Sequence, residues 1–534
     1  MPKYFLSYTF ILSISFLFSQ TPENFTWPID TPRIVSGNYG ELRPNHFHAG
    51  IDFTTNNKVN LPVYSVADGY VSRIKVSSVG YGKAIYITHP NGQVSLYAHL
   101  NSFSSKIADA VKKEQYENRR YEVDLYLKKN SIQVKKGGLI GLSGNTGGST
   151  GPHVHFELRD EKSETPLNPL KYYSLNDTVK PTLEKISFYD LTDTISPKYM
   201  YAFTVKNGDS LILDKSIVGL AFSGFDRSMS QGRIFNVFSA DLYFDGKLIY
   251  SHVLNNIDFE EGRYVNEFSE TKDKFKFQKC FLPTLYPQKM YGTILNKGRI
   301  DLDNKYHLVK LGLKDEQGNE RITNFYVKAK NVNSFAPTKK EGVFVNCNER
   351  VKKQINDLQV TIPAKTFYYS TYLLVENSLE KNAQLSILPE NVNFRNAATI
   401  GLLVPNKFLK HKDKLLLKSV TNNFYSPTVR HDTVFYSIKN FGTWQLVVDS
   451  LSPKISFKKK SAISVSFTIE DKMSGISRYN MFINNKWVIA EYDAKSGELT
   501  YYFDESCPKG TLKYRVETED KVGNSSKFYH TLKR

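Results

Sequence analysis

Residues 143–158 read Ser-Gly-Asn-Thr-Gly-Gly-Ser-Thr-Gly-Pro-His-Val-His-Phe-Glu-Leu, and this stretch constrains the fold more than any other. Its glycines, from Gly144 to Gly151, let the backbone turn tightly and close in on a ligand. The segment after them alternates in polarity. Residues i and i+2 of a strand share a face, so His153 and His155 point into one space while Val154 and Phe156 point into a core. Two imidazoles side by side on a sheet face suit a metal or proton-transfer site better than packing.

The flanking chain reads as more of the same sheet. From about 21 to 175 it is rich in Gly and His, with short β-like runs at 61–66, 70–76, 84–89 and 153–158. Asp68-Gly69, Gly80-Tyr81-Gly82 and Asn91-Gly92 separate these runs as the turns of an antiparallel sheet. Two more fragments carry chemistry. His-Phe-His-Ala-Gly-Ile-Asp-Phe sets His48 and Asp52 four residues apart, and in an extended conformation both face one side. Leu-Tyr-Ala-His-Leu carries His99.

Catalytic zinc takes three ligands from His, Asp or Glu and keeps a fourth position for water. His48, Asp52 and one of His153 and His155 supply such a set. The metal lowers the pKa of its water toward roughly 7. The remaining histidines then serve as general base and as stabiliser of the developing oxyanion. His46 lies six residues from Asp52 and reads as a groove-edge or surface residue, and His89 as a strand-end or outer-shell one. Glu157 alternates onto the face of His153 and His155, where it orients a ligand or sits at a solvated sheet edge. His252, His307, His411, His431 and His530 are scattered singles, read as structural or surface residues.

The ordered set H-x-x-x-D, Y-x-H-L and G-x-T-G-x-S-T-G-P-H-x-H-F-E resembles the LytM/lysostaphin-type peptidoglycan endopeptidases. The stretches at 61–71, 80–92 and 134–144 add to the likeness, which covers about residues 40–170. The resemblance implies zinc held by His48, Asp52 and His155, with His99 and His153 as the catalytic pair. It further implies a small antiparallel sheet with the zinc in a groove across it, and hydrolysis of peptide bonds in wall cross-links.

Residues 105–130 depart from that family, whose members run almost directly from Y-x-H-L to the V-x-x-G stretch. The highly charged segment SKIADAVKKEQYENRRY predicts an amphipathic helix with Ile107, Ala110, Val111 and Tyr116 packed down, followed by a short strand at 122–127. Its flanks lie near His99 and the Gly-rich turn, so it is expected at or over one wall of the groove, where it narrows the groove, restrains activity until a partner moves it, or is a passive surface decoration.

Beyond Pro169-Leu170 alternating strands take over, for example at 183–189 and 240–243. Residues 219–250 and 465–490 look related, through FSGFDRSMS and FTIEDKMSGIS. Each is followed by a D-x-x-G-N turn, Asp315 to Asn319 and Asp520 to Asn524. The fold class expected is mainly β, with immunoglobulin-like sandwiches after the first sheet. The boundaries expected are a signal peptide at 1–20, a metallopeptidase domain at 21–175, an immunoglobulin-like module at 176–333, a β-sandwich module at 334–447 and a last immunoglobulin-like module at 448–534.

Lys3 followed by the short apolar run at 5–18 is the pattern of a cleaved secretory signal, with no transmembrane span left after its removal. Export to the periplasm or cell envelope, or release, is the expectation. Cys280, Cys347 and Cys507 have neither metal-ligand spacing nor a disulfide framework. Lys plus Arg exceed Asp plus Glu by 18, 71 against 53, without the dense basic runs that nucleic acid would need. An anionic envelope polymer suits that excess better, with peptidoglycan cross-link peptides as substrate and an envelope protein as a partner for the β modules. The rival readings are a catalytically silent wall-binding or hydrolase-activating protein, and a β-modular envelope scaffold.

Overall fold

The computed structural model describes residues 25–173, 177–193, 197–227, 233–330 and 341–534. The expected signal segment at 1–20 lies outside them. Strands take up 51% of the residues and helices 9%, so the fold class is mainly β, as expected. No helix among the described residues is long and apolar enough to cross a membrane.

The first module is built on an antiparallel sheet. Its main strands are β1 (Val35–Gly37), β2 (Ile51–Thr54), β3 (Gly69–Val76), β4 (Lys83–Thr88), β5 (Gln93–Leu100), β6 (Val123–Tyr126) and β7 (His153–Asp160). They lie side by side in the order β1-β2-β7-β5-β4-β3-β6. Alternation explains the layer beneath. Phe53, Val71, Ile74, Ile85, Ile87, Tyr97, Val154 and Phe156 are fully buried in one core. Burial at roughly 25 cal/mol per Å² makes this face the main stabiliser of the sheet.

Register sets the site. The antiparallel pairing of β7 with β2 puts His155 directly opposite Asp52, and its pairing with β5 puts Ala98 on the other side of His155. His48 departs from the sequence expectation. It does not share a strand with Asp52, because the hairpin Leu42–Arg43/His46–Phe47 ends before it and β2 starts after it. The turn between them passes Gly50, where a Cβ would lie 2.1 Å from the Phe156 carbonyl oxygen. Glycine permits that close approach, and so the turn delivers His48 to the strand face.

The segment at 105–130 forms helix α1 (Ser105–Asn118) and then β6, which adds to the edge of the sheet beside β3. Ile107 and Val111 are buried as expected, while Ala110 and Tyr116 are only half-buried. The expected position over the groove is not observed. No residue of 105–130 lines the groove, and α1 instead carries the C-terminal module. Lys112 Nζ lies 2.6 Å from Glu505, the Tyr116 hydroxyl donates to Asp504 at 2.7 Å, and its ring meets Trp487 edge-on. Tyr116 packs down only in part: it is half-buried, and its hydroxyl and ring reach the other module.

Three further pairs of sheets each close on a core of their own. Ile186, Phe188, Leu242, Leu311 and Phe325 belong to one, Leu358, Ile387, Ile400 and Trp444 to the next, and Phe467, Met481 and Val516 to the last. Among the described residues, pairing is antiparallel except between Ser210–Leu213 and Glu320–Ala329.

Candidate metal and catalytic site

A groove of about 960 Å³ crosses the polar face of the first sheet, with His48, Asp52, His99, His153 and His155 in its lining. All five residues singled out in the sequence come together there. Arg233, Ile257, Phe259 and Gly262 of the next module form part of its wall.

Three donor atoms converge at the floor. His48 Nε2 is 2.9 Å from His155 Nδ1 and 3.1 Å from Asp52 Oδ1, and His155 Nδ1 is 2.9 Å from the same oxygen. The outer ring nitrogens decide what these atoms can be. His48 Nδ1 meets the Asn38 carbonyl oxygen at 2.7 Å, and His155 Nε2 meets Glu157 Oε1 at 2.8 Å. Both partners only accept, so each imidazole spends its N–H on them and turns a bare lone pair inward. Two lone pairs and a carboxylate oxygen within 3.1 Å of one another repel unless a cation or a proton lies among them. Imidazole nitrogen and carboxylate oxygen, with outer N–H groups tied to carbonyl and carboxylate, are the donor set of a zinc site.

The charges agree. A proton on His155 Nδ1 can take the cation's place: burial works against it, but hydrogen bonds to Asp52 and Glu157 and the charges of both push its pKa up to about 9. Asp52 is buried too, yet the charge of His48 and hydrogen bonds from the histidines hold its pKa well below the usual carboxylate range. Its second oxygen accepts from Arg43 Nη2 at 2.5 Å, which turns Oδ1 toward the histidines.

His99 and His153 stand over this floor. His99 adopts a left-handed backbone, φ 60°, beside the bulge where pairing of β4 with β5 slips. Such strain in a non-glycine residue persists only where the surroundings over-determine it, commonly at sites of function. His99 Nδ1 donates to the Thr146 carbonyl at 2.8 Å, and His153 Nδ1 meets the Gly151 carbonyl at 2.8 Å. Each ring thereby carries its proton on Nδ1 and leaves Nε2 free to take another. Burial, with the charges of His155 and His153, pulls the His99 pKa down to about 3. His153 Nε2 lies 3.4 Å from Asp52 Oδ1 and has no hydrogen-bond partner among the described residues.

Glu157 is fully buried rather than at a solvated edge. Besides His155 it accepts from Arg159 Nε at 2.8 Å and from the Tyr81 hydroxyl at 2.5 Å. Arg159 follows Glu157 at i+2 on the same strand face and was legible by alternation. Arg43 comes from a hairpin strand and Tyr81 from the turn before β4, and neither position follows from alternation with the histidines. His46 is exposed at the groove edge. His89 is buried away from the donors, held by the Asp68 carbonyl at 2.8 Å and Ser95 Oγ at 2.7 Å.

Residues 46–116 and 121–169 match Peptidase family M23. The first module carries an M23 domain. The DD-carboxypeptidase/endopeptidase Mpg of Neisseria meningitidis serogroup B is 35% identical over 123 residues, 23% of this chain and 22% of the relative. The peptidoglycan DD-endopeptidase ShyA of Vibrio cholerae is 33% identical over 138 residues, 25% of this chain and 26% of the relative. The glycyl-glycine endopeptidase ALE-1 of Staphylococcus capitis is 32% identical over 111 residues, 21% of this chain and 24% of the relative. The chain thus spans about a quarter of the length of these relatives. Among solved structures, the catalytic domain of the prophage-encoded M23 protein EnpA from Enterococcus faecalis is 26% identical, covering 27% of this chain and 94% of that one, with a TM-score of 0.20.

Proposed function

We propose that this protein is an exported zinc-dependent endopeptidase that hydrolyses the peptide cross-links of bacterial peptidoglycan. The observation that carries this reading is the convergence of His48 Nε2, Asp52 Oδ1 and His155 Nδ1, all with lone pairs turned inward. The M23 match over residues 46–116 and 121–169 and the names of the three relatives support the substrate class.

His48, Asp52 and His155 would hold the zinc. When bound, it supplies Lewis acidity and a water of lowered pKa. The chain's own residues then manage protons and position. His153 is the better base, because a proton taken at Nε2 lies 3.4 Å from the Asp52 carboxylate. For His99, burial and the charges of His155 and His153 outweigh the charge of Asp52 and hold it neutral, so it steers the water or the scissile group by hydrogen bonding at Nε2. The Thr146 and Gly151 carbonyls fix both rings, which holds the two free nitrogens over the donor triad.

Digestion of purified sacculi by the zinc-loaded full chain, followed by mass analysis of the released muropeptides, tests the reading. Cleaved cross-link peptides are expected. A zinc-loaded protein that binds sacculi and releases none supports the silent wall-binding reading instead.

A further inference from the structure

The two related stretches noted in the sequence end in a structural feature that peptide hydrolysis does not use. Asp177, Asp226 and Asp315 each offer an oxygen, and the three atoms lie within 4.8 Å of one another. Asp449, Asp471 and Asp520 do the same in the last module. The two constellations are built alike. Asn319 Nδ2 donates to the Asp177 carbonyl at 3.0 Å and to Asp315 Oδ2 at 2.7 Å. Asn524 Nδ2 donates to the Asp449 carbonyl at 2.9 Å and to Asp520 Oδ2 at 2.7 Å. The D-x-x-G-N turn supplies one Asp and the clamping Asn each time.

They differ at the middle residue. Asp471 Oδ2 accepts the backbone N–H groups of Met473 and Gly475. Asp226 is 4% exposed, and its Oδ1 has no hydrogen-bond partner among the described residues. A buried carboxylate oxygen without a donor and beside two more carboxylates is costly unless a cation neutralises it. Oxygens sharing one Ca2+ at about 2.3–2.6 Å can be no more than about 5 Å apart, which this set satisfies. Oxygen-only donors exclude the softer metals that imidazole and thiolate favour.

We propose that Asp177, Asp226 and Asp315 form a Ca2+ site at the junction between the peptidase module and the first β module. Asp177 lies between Tyr173, in the core of the peptidase module, and the strand Thr182–Asp190 of the next. Glu316, next to Asp315, takes a hydrogen bond from Asn168 of the peptidase module. An ion there ties the chain leaving one module to two strand ends of the other, and so holds the wall that Arg233 and Phe259 give to the groove. The inference stands apart from the hydrolytic reading.

Calorimetric titration of the zinc-loaded full chain with CaCl2 tests it, comparing the parent with Asp226→Asn, Asp177→Asn and Asp471→Asn. The parent is expected to bind Ca2+ in the extracellular range, about 0.1–1 mM or tighter. Asp226→Asn and Asp177→Asn each weaken one site at least ~10-fold, since both lose ligand charge. Asp177→Asn keeps the backbone carbonyl that holds Asn319, so it reports even if Asp226→Asn folds poorly. Asp471→Asn leaves that site intact. In calcium-free buffer Asp226→Asn melts no lower than the parent, because it relieves carboxylate repulsion. No uptake by the parent, or parental uptake by both Asp226→Asn and Asp177→Asn, overturns the proposal.

Discussion

Lys495 Nζ, in the last module, donates to the Ser149 carbonyl oxygen of the Gly-rich loop at 3.0 Å. The same ammonium reaches the Asn145 carbonyl at 2.5 Å. This loop also presents the Thr146 and Gly151 carbonyls that fix His99 and His153. Lys83, beside the loop, pairs with Glu491 of the last module at 2.8 Å. The C-terminal module therefore braces the loop whose carbonyls fix His99 and His153.

Lys495→Ala is expected to lower turnover on sacculi roughly tenfold, since small losses of positioning far from the bond broken carry through to rate. Zinc content, measured by elemental analysis, should stay at the parental value. Unchanged turnover would leave the contact without a positioning role.

Asp52→Ala should lose zinc outright, and Glu157→Gln should weaken zinc binding roughly 10–100-fold by loosening the ring it orients. Chelator competition reads both. Parental zinc affinity in Glu157→Gln would mean that the 2.8 Å contact to His155 does no orienting.

His99→Ala and His153→Ala are expected to keep zinc and lose at least ~100-fold in turnover, the usual size of a general-base or hydrogen-bonding contribution. Loss of metal from either variant would place that residue among the ligands.

His252 gives a pH dependence remote from the groove. It is fully buried between Phe222 and Phe268, and burial pulls its pKa down to about 3 from 6.5. The unfolded chain binds this proton between those values and the folded chain does not, so stability is lost as pH falls below about 6.5. One group contributes a slope of at most about 1.4 kcal/mol per pH unit. His252→Phe should flatten the acid limb, read as the change in urea midpoint between about pH 7 and about pH 5. A limb as steep as the parent's would assign the acid sensitivity elsewhere.

Tyr116→Ala combined with Lys112→Ala removes the hydrogen bond to Asp504 and the ion pair to Glu505. Surface pairs of this kind stabilise by about 0–1 kcal/mol each, so the last module should stay folded while its contact with α1 loosens. Faster amide exchange in α1 and around Asp504, with zinc retained, is the expected readout. Unchanged exchange would mean that other contacts carry the docking.

The sequence by itself determined the reactive residues and the kind of surface that carries them. Alternation is local, so His-Val-His-Phe had to present two imidazoles on one strand face, and Phe156 and Val154 had to go inward. The run at 105–121 was legible as a helix for the same reason, because its apolar spacing is a property of neighbouring residues. What a strand or helix packs against is not local. His48 reaches the triad from a turn and not along a shared strand, because Gly50 can pass against the Phe156 backbone. Arg43 joins the site from a hairpin strand and Tyr81 from a turn 76 residues before Glu157, and no local spacing fixes either. Helix α1 carries the C-terminal module instead of narrowing the groove, because its polar face meets Asp504, Glu505 and Trp487 nearly 400 residues along the chain. Such partners are chosen when separate cores dock, and only the tertiary structure decided them.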